Sequence, residues 1–205
     1  MSAVLPAPIT AELPLSMRGP APVRVVAGFG FWLFLLSDFV MFAAFFAAYA
    51  VLSGETAGGP TGAALFDKSR VFIETLCLLA SSVTCGFGSL AVQRGDRLAT
   101  YGWMTVTFAL GAAFLGFEVT EFAGMVASGA GPSRSAFLSA FFALVGAHGV
   151  HVTLGLVWLL VMLLQVATLG LQPAVRRRLF CFGLFWHALD IVWVGVFTVV
   201  YLGAR

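Results

Sequence analysis

Charge is scarce in this sequence: of 205 residues only 10% are Asp, Glu, Lys or Arg, against roughly 25% in an average soluble domain. Hydrophobic residues make up 60% and mean hydropathy is +1.01, so lipid, not water, is the solvent to explain. The net charge of +2 is too small and too scattered for a nucleic-acid surface. Cysteine is nearly absent. Cys77, Cys85 and Cys181 lie in or beside apolar segments without CxxC spacing, which argues against a disulfide or zinc framework and leaves them as small buried hydrophobes. Proline is missing from the interior of every long apolar run. Pro6, Pro8, Pro14, Pro20 and Pro22 crowd the N-terminal arm, and Pro60, Pro132 and Pro173 fall between runs, as helix breakers should. Residues 1–24 read as a flexible Pro-rich arm without an apolar h-region, so no cleavable leader is expected and the first hydrophobic segment stays as an anchor. The glycine-rich segment SGETAGGPTG, residues 53–62, lacks the Gly-Lys-Ser/Thr ending of a phosphate-binding loop and reads as a surface turn.

What is abundant is long apolar sequence. Runs at about 25–52, 71–93, 100–123, 136–169 and 179–202 each exceed the roughly 20 residues a spanning helix needs. The expected fold class is therefore all-α, an integral membrane bundle of five transmembrane helices within one domain, residues 25–205. The fourth run is long enough to tilt or to project from the bilayer. Arg18, Arg24, Arg94, Arg97, Arg176, Arg177 and Arg178 fall on one side, and Lys68, Arg70, Arg134 and Arg205 on the other. By the positive-inside rule the N-terminus is expected in the cytoplasm and the C-terminus outside. Tyr49, Tyr101, Trp103 and Tyr201 lie near span ends, where amphipathic rings are expected at the lipid–water boundary.

Ionisable residues inside the spans are costly and need a partner, a proton or a water-lined site. Asp38, Glu74, Glu118, Glu121 and Asp190 are five of the nine acids, and all three histidines join them. The last three spans repeat a spacing: Glu118 and Glu121, His148 and His151, and His187 and Asp190 are i,i+3 pairs, each on one helix face. His151 also sits in a stripe of small residues, Ser139, Ala143, Ala147 and Gly155, that permits close helix approach. A polar seam among the last three spans follows. It reads as structural glue, as a proton relay, or as a metal or haem site, the last resting on His-x-x-His, a weak signal. Asp38 stands apart, mid-span. It is either hydrogen-bonded to backbone or Ser37, or a group that tunes proton entry to a neighbouring subunit.

Three collinear segments carry a family resemblance. The run FGFWLFLLSD within residues 29–49, GPSRSAFLSAFFALVGAHGVHVT at 131–153 and FWHALDIVWVGVFTVVYLG at 185–203 resemble subunit III of haem-copper respiratory oxidases. TAGGPTG and the five-span length are most similar to the cytochrome bo-type ubiquinol oxidase branch. The resemblance implies a chain with no catalytic centre, metal or cofactor of its own, beside a catalytic subunit I that holds haems and copper. Subunits II and IV, and membrane lipids held between helices, complete the implied partners. It further implies a role in complex stability and sustained proton uptake during aerobic respiration. By motif, the family's membrane-embedded acid falls on Asp38, its helix-three acid on Glu121, its His-Gly-x-His pair on His148 and His151, and its Trp-His-x-x-Asp run on Trp186, His187 and Asp190. Two other classes compete on the residues alone: a proton- or ion-coupled transporter, and a b-type cytochrome.

Overall fold

The computed structural model describes residues 23–204; the arm at 1–22, Arg205 and the side chains of Arg24, Ala63 and Ala64 lie outside the described residues. The described chain is helical throughout, with turns between. Helix α1 spans Val23–Leu52, α2 is a four-residue helix Gly62–Leu65, α3 spans Lys68–Arg94, α4 Arg97–Ala127, α5 Ala136–Leu169 and α6 Pro173–Val196. A π-helical stretch, Phe197–Leu202, continues α6. All but α2 are long and apolar enough to cross a membrane, giving the five expected spans.

The helix ends follow local chemistry. Asp67 accepts from the Ser69 and Arg70 amides, Asp96 from Ala99 and Ser135 from Leu138, each satisfying donors that a helix start leaves open. The α3–α4 connection is only Gly95 and Asp96, and Gly95 supplies the left-handed backbone, φ +77°, that the tight stop requires. Hydropathy alone started the fifth span at residue 179. The helix starts at Pro173 because proline suits the first helical position and Arg176–Arg178 extend the helix beyond its apolar part.

Helices α5 and α6 form the centre. Helix α3 pairs closely with α4, α4 packs on α5, α3 on α6, and α1 lies against the α5–α6 pair from the other side. Loop one does more than turn at the surface. Phe137 N–H donates to Glu55 C=O at 3.2 Å, and buried Phe66 packs its ring against Tyr201 at 4.8 Å and Phe141 at 5.0 Å. Of the four expected interface aromatics, Tyr101 and Trp103 are exposed, but Tyr49 and Tyr201 are buried, Tyr49 against Phe137. In the π-helical stretch Val200 and Tyr201 are both buried. Cys85 is buried and Cys77 and Cys181 half-buried, all free thiols.

Candidate functional site

The i,i+3 pair of α4 faces inward. Glu118 and Glu121 are buried there, and Glu74 of α3, wholly buried, interacts electrostatically with both. Among the described residues the cation of this cluster is Arg70, whose Nε lies 3.4 Å from Glu74 Oε1, one helical turn away. Its guanidinium is fixed from the α4 side, donating to Phe117 C=O at 2.9 Å and to Thr120 Oγ1, and resting 6.0 Å from the Phe117 ring centroid. Tyr201 O–H donates to Glu121 Oε2 at 3.3 Å. Glu118 occupies the space that Gly149 of α5 leaves open, since a Cβ there would fall 2.5 Å from its Oε1. This cluster joins α3, α4 and the end of α6, so the second span enters a seam that the sequence confined to the last three.

The histidines separate into different surroundings. His187 Nδ1 is 2.7 Å from Ser82 Oγ of α3, and Asp190, one turn on, also adjoins Ser82. Neighbouring hydroxyls of α3 continue this stitching: Trp186 Nε1–H donates to Ser81 Oγ at 3.0 Å and Trp193 Nε1–H to Thr75 Oγ1 at 3.1 Å. Sequence reading passed over Thr75, Ser81 and Ser82. Their spacing along one stripe of an apolar helix was the available signal.

His148 is wholly buried, and among the described residues neither ring nitrogen has a hydrogen-bond partner. Rings surround it: Trp193 at 5.1 Å, Phe114 at 5.9 Å and Phe42 at 6.4 Å between centroids. His151 uses Nδ1 on Ala147 C=O of its own helix at 2.7 Å and meets Phe42 of α1 edge-on at 5.2 Å. Asp38 is half-buried on α1, lining a narrow gap against Phe185, Leu189 and Val192 of α6. Ser37 Oγ–H goes to Phe34 C=O at 2.6 Å and not to Asp38. Among the described residues no three of His, Cys, Asp and Glu converge as a metal-ligand set.

Fold and interior together define a multi-pass helical membrane protein whose polar groups bind helix to helix. A profile of the family described as cytochrome c oxidase subunit III matches residues 10–204. Cytochrome bo(3) ubiquinol oxidase subunit 3 of Pseudomonas aeruginosa is 54% identical over 174 residues, covering 85% of this chain and 83% of the relative. The subunit of the same name from Pseudomonas putida is 52% identical over 173 residues, 84% of each chain. Cytochrome c oxidase subunit 3 of Alkalihalophilus pseudofirmus is 45% identical over 174 residues, again 84% of each. The chain belongs to the cytochrome c oxidase subunit III family. It is thus a subunit of a haem-copper oxidase, and other subunits of that oxidase are its partners.

Proposed function

We propose that the chain is the non-catalytic subunit III of a proton-pumping terminal oxidase that takes electrons from ubiquinol. The observation that carries this is the 54% and 52% identity, over 85% and 84% of the chain, to two subunits named for ubiquinol oxidases. Haems and copper sit in the partner catalytic subunit I, which this chain contacts directly, with subunits II and IV in the same complex. The chain itself binds no metal or cofactor and supports complex stability and sustained proton uptake. The assembly lies in a bacterial inner membrane with the N-terminus of this chain cytoplasmic and the C-terminus periplasmic. The arginines at 94, 97 and 176–178, facing the end opposite Lys68, Arg70 and Arg134, support that orientation.

The test is to purify the tagged chain in mild detergent and record spectrum, metal content and oxidase activity. The expected result is a larger assembly with haem and copper that consumes oxygen with ubiquinol and not with reduced cytochrome c. A chain that runs alone removes the accessory role, and activity with cytochrome c alone removes the donor assignment.

A further inference from the structure

Among the described residues the acid cluster between α3 and α4 has more carboxyl groups than cations. Glu74 lies beside Arg70, its Oε1 3.4 Å from Nε. Glu121 feels the same guanidinium and accepts from Tyr201 O–H at 3.3 Å. Glu118 has neither. It is 2% exposed, and among the described residues its Oε2 has no hydrogen-bond partner. Both oxygens of wholly buried Glu74 likewise lack a donor there, although the two carboxyl groups interact across the α3–α4 interface. We propose that Glu118 is a proton-binding site: it holds a proton as a neutral carboxylic acid, offers it to Glu74, and exchanges it with the aqueous surface at the start of α3 along the groove beside Arg70.

Three observations converge on that proton. The first is the set of unpartnered atoms. Ionised, Glu74 and Glu118 offer only acceptors to each other; a proton on Glu118 turns one acceptor into a donor and answers an orphaned oxygen on each side. The second is enclosure. Helix α5 closes over Glu118, since a Cβ on Gly149 would fall 2.5 Å from Oε1, and a buried carboxylate without a cation is far costlier than the neutral acid. Among the described residues no three of His, Cys, Asp and Glu converge on a metal ion, so the ligand is a proton. The third is access. A groove of about 680 Å³ between α3 and α4 is lined by Asp67, Ser69, Arg70, Ile73, Gly116 and Thr120 among others. Glu74 lies about 10 Å along the helix from Asp67, so the groove, which reaches Ile73, comes down to the depth of the acids. Arg70, held on Phe117 C=O and Thr120, stands between the groove and the acids. The other titratable groups around Glu118 are committed elsewhere: Tyr201 donates to Glu121, and His148, next to Gly149, is surrounded by Phe42, Phe114 and Trp193. The inference stands apart from the choice of electron donor and from the family assignment.

The test uses the purified assembly containing the tagged chain and reads the infrared C=O stretch of protonated carboxylic acids, in water and after transfer to D2O. Wild type is expected to show a deuterium-sensitive band that E118Q removes and E121Q keeps. E118D, which retains the acid on a shorter side chain, should displace the band. G116L should slow its deuterium shift, because a Cβ at Gly116 meets nothing within 4 Å and the longer side chain fills the groove without striking the bundle. Charge balance gives a second reading. The yield lost in R70Q, measured as copurifying haem, should return in R70Q/E74Q and not in R70Q/E118Q, since Glu118 carries no charge to remove. A band that survives E118Q, or R70Q rescued as well by E118Q as by E74Q, overturns the proton on Glu118. A deuterium shift as fast in G116L as in wild type overturns the route. If E118Q does not accumulate, an undisplaced band in E118D overturns the assignment, and if R70Q accumulates like wild type the infrared band decides alone.

Discussion

His148 shows how one residue type can serve opposite ends. A histidine in a membrane span invites a ligand or relay reading, yet here both nitrogens lie among Phe42, Phe114 and Trp193 without a hydrogen bond. Its ring packs against theirs as an aromatic would. H148F should therefore keep thermal stability within about 1.5 kcal/mol of wild type, as volume-conserving swaps do. H148A should cost on the order of 2–5 kcal/mol by opening a cavity, measured by unfolding of the detergent-purified assembly. A relay role for His148 would instead make H148F lose proton pumping at unchanged stability. Asp38 faces a different test. D38N should leave assembly intact and reduce proton-to-electron ratios during prolonged turnover, in keeping with the proposed role; unchanged ratios would remove that assignment.

At the scale of the helices, α6 is held from two sides by different means. Against α3 it uses hydrogen bonds from indole N–H groups, Trp186 to Ser81 and Trp193 to Thr75. Against α4 and α5 it uses absence of side chains: the Trp186 ring lies between Gly111 and Gly155, where a Cβ would come within 2.8 Å and 2.9 Å of ring carbons. Small residues let helices approach when lipid offers no hydrophobic drive to associate. G111A and G155A should each cost about 1–3 kcal/mol, because a wide, rigid ring cannot give way. T75V leaves an indole donor without its acceptor and should cost less, about 0.6–1.7 kcal/mol, the range for hydrogen bonds between membrane helices. Equal losses in the two classes, read from melting temperatures, would contradict this division.

For the whole molecule, the acid cluster ties distant parts of the chain. Glu74 pairs with Arg70, Arg70 donates to Thr120 and Tyr201 donates to Glu121, so α3, α4 and the π-helical stretch after α6 meet in one place. The single guanidinium balances one of three carboxyl groups. Its loss leaves buried carboxylates uncompensated, which is the costly way to break an internal ion pair. R70Q should lower the yield of assembled oxidase, measured as haem copurifying with the tagged chain. R70K should do so partly, since lysine keeps the charge but not the forked donors that reach both Phe117 C=O and Thr120. Unchanged yield for R70Q would show the cluster to be indifferent to its cation.

Hydropathy along the chain determined the five spans, the fourth to the residue at 136–169, because crossing a bilayer is a demand each segment meets alone. The motifs around Asp38, His148 and Trp186 likewise sufficed for the family. The i,i+3 spacings were legible too, but spacing places two side chains on one face and leaves open which neighbour that face meets. Only packing brought Glu74 to Glu118 and Glu121, gave His187 to Ser82, and enclosed His148 in rings. Tyr201 was misread for the same reason: an end-of-span tyrosine looks like surface until the π-helical stretch folds it onto Phe141, beside Phe66. What each segment does alone is written in its composition, and what segments do together depends on the rotation of each helix about its own axis, which tertiary contacts decide.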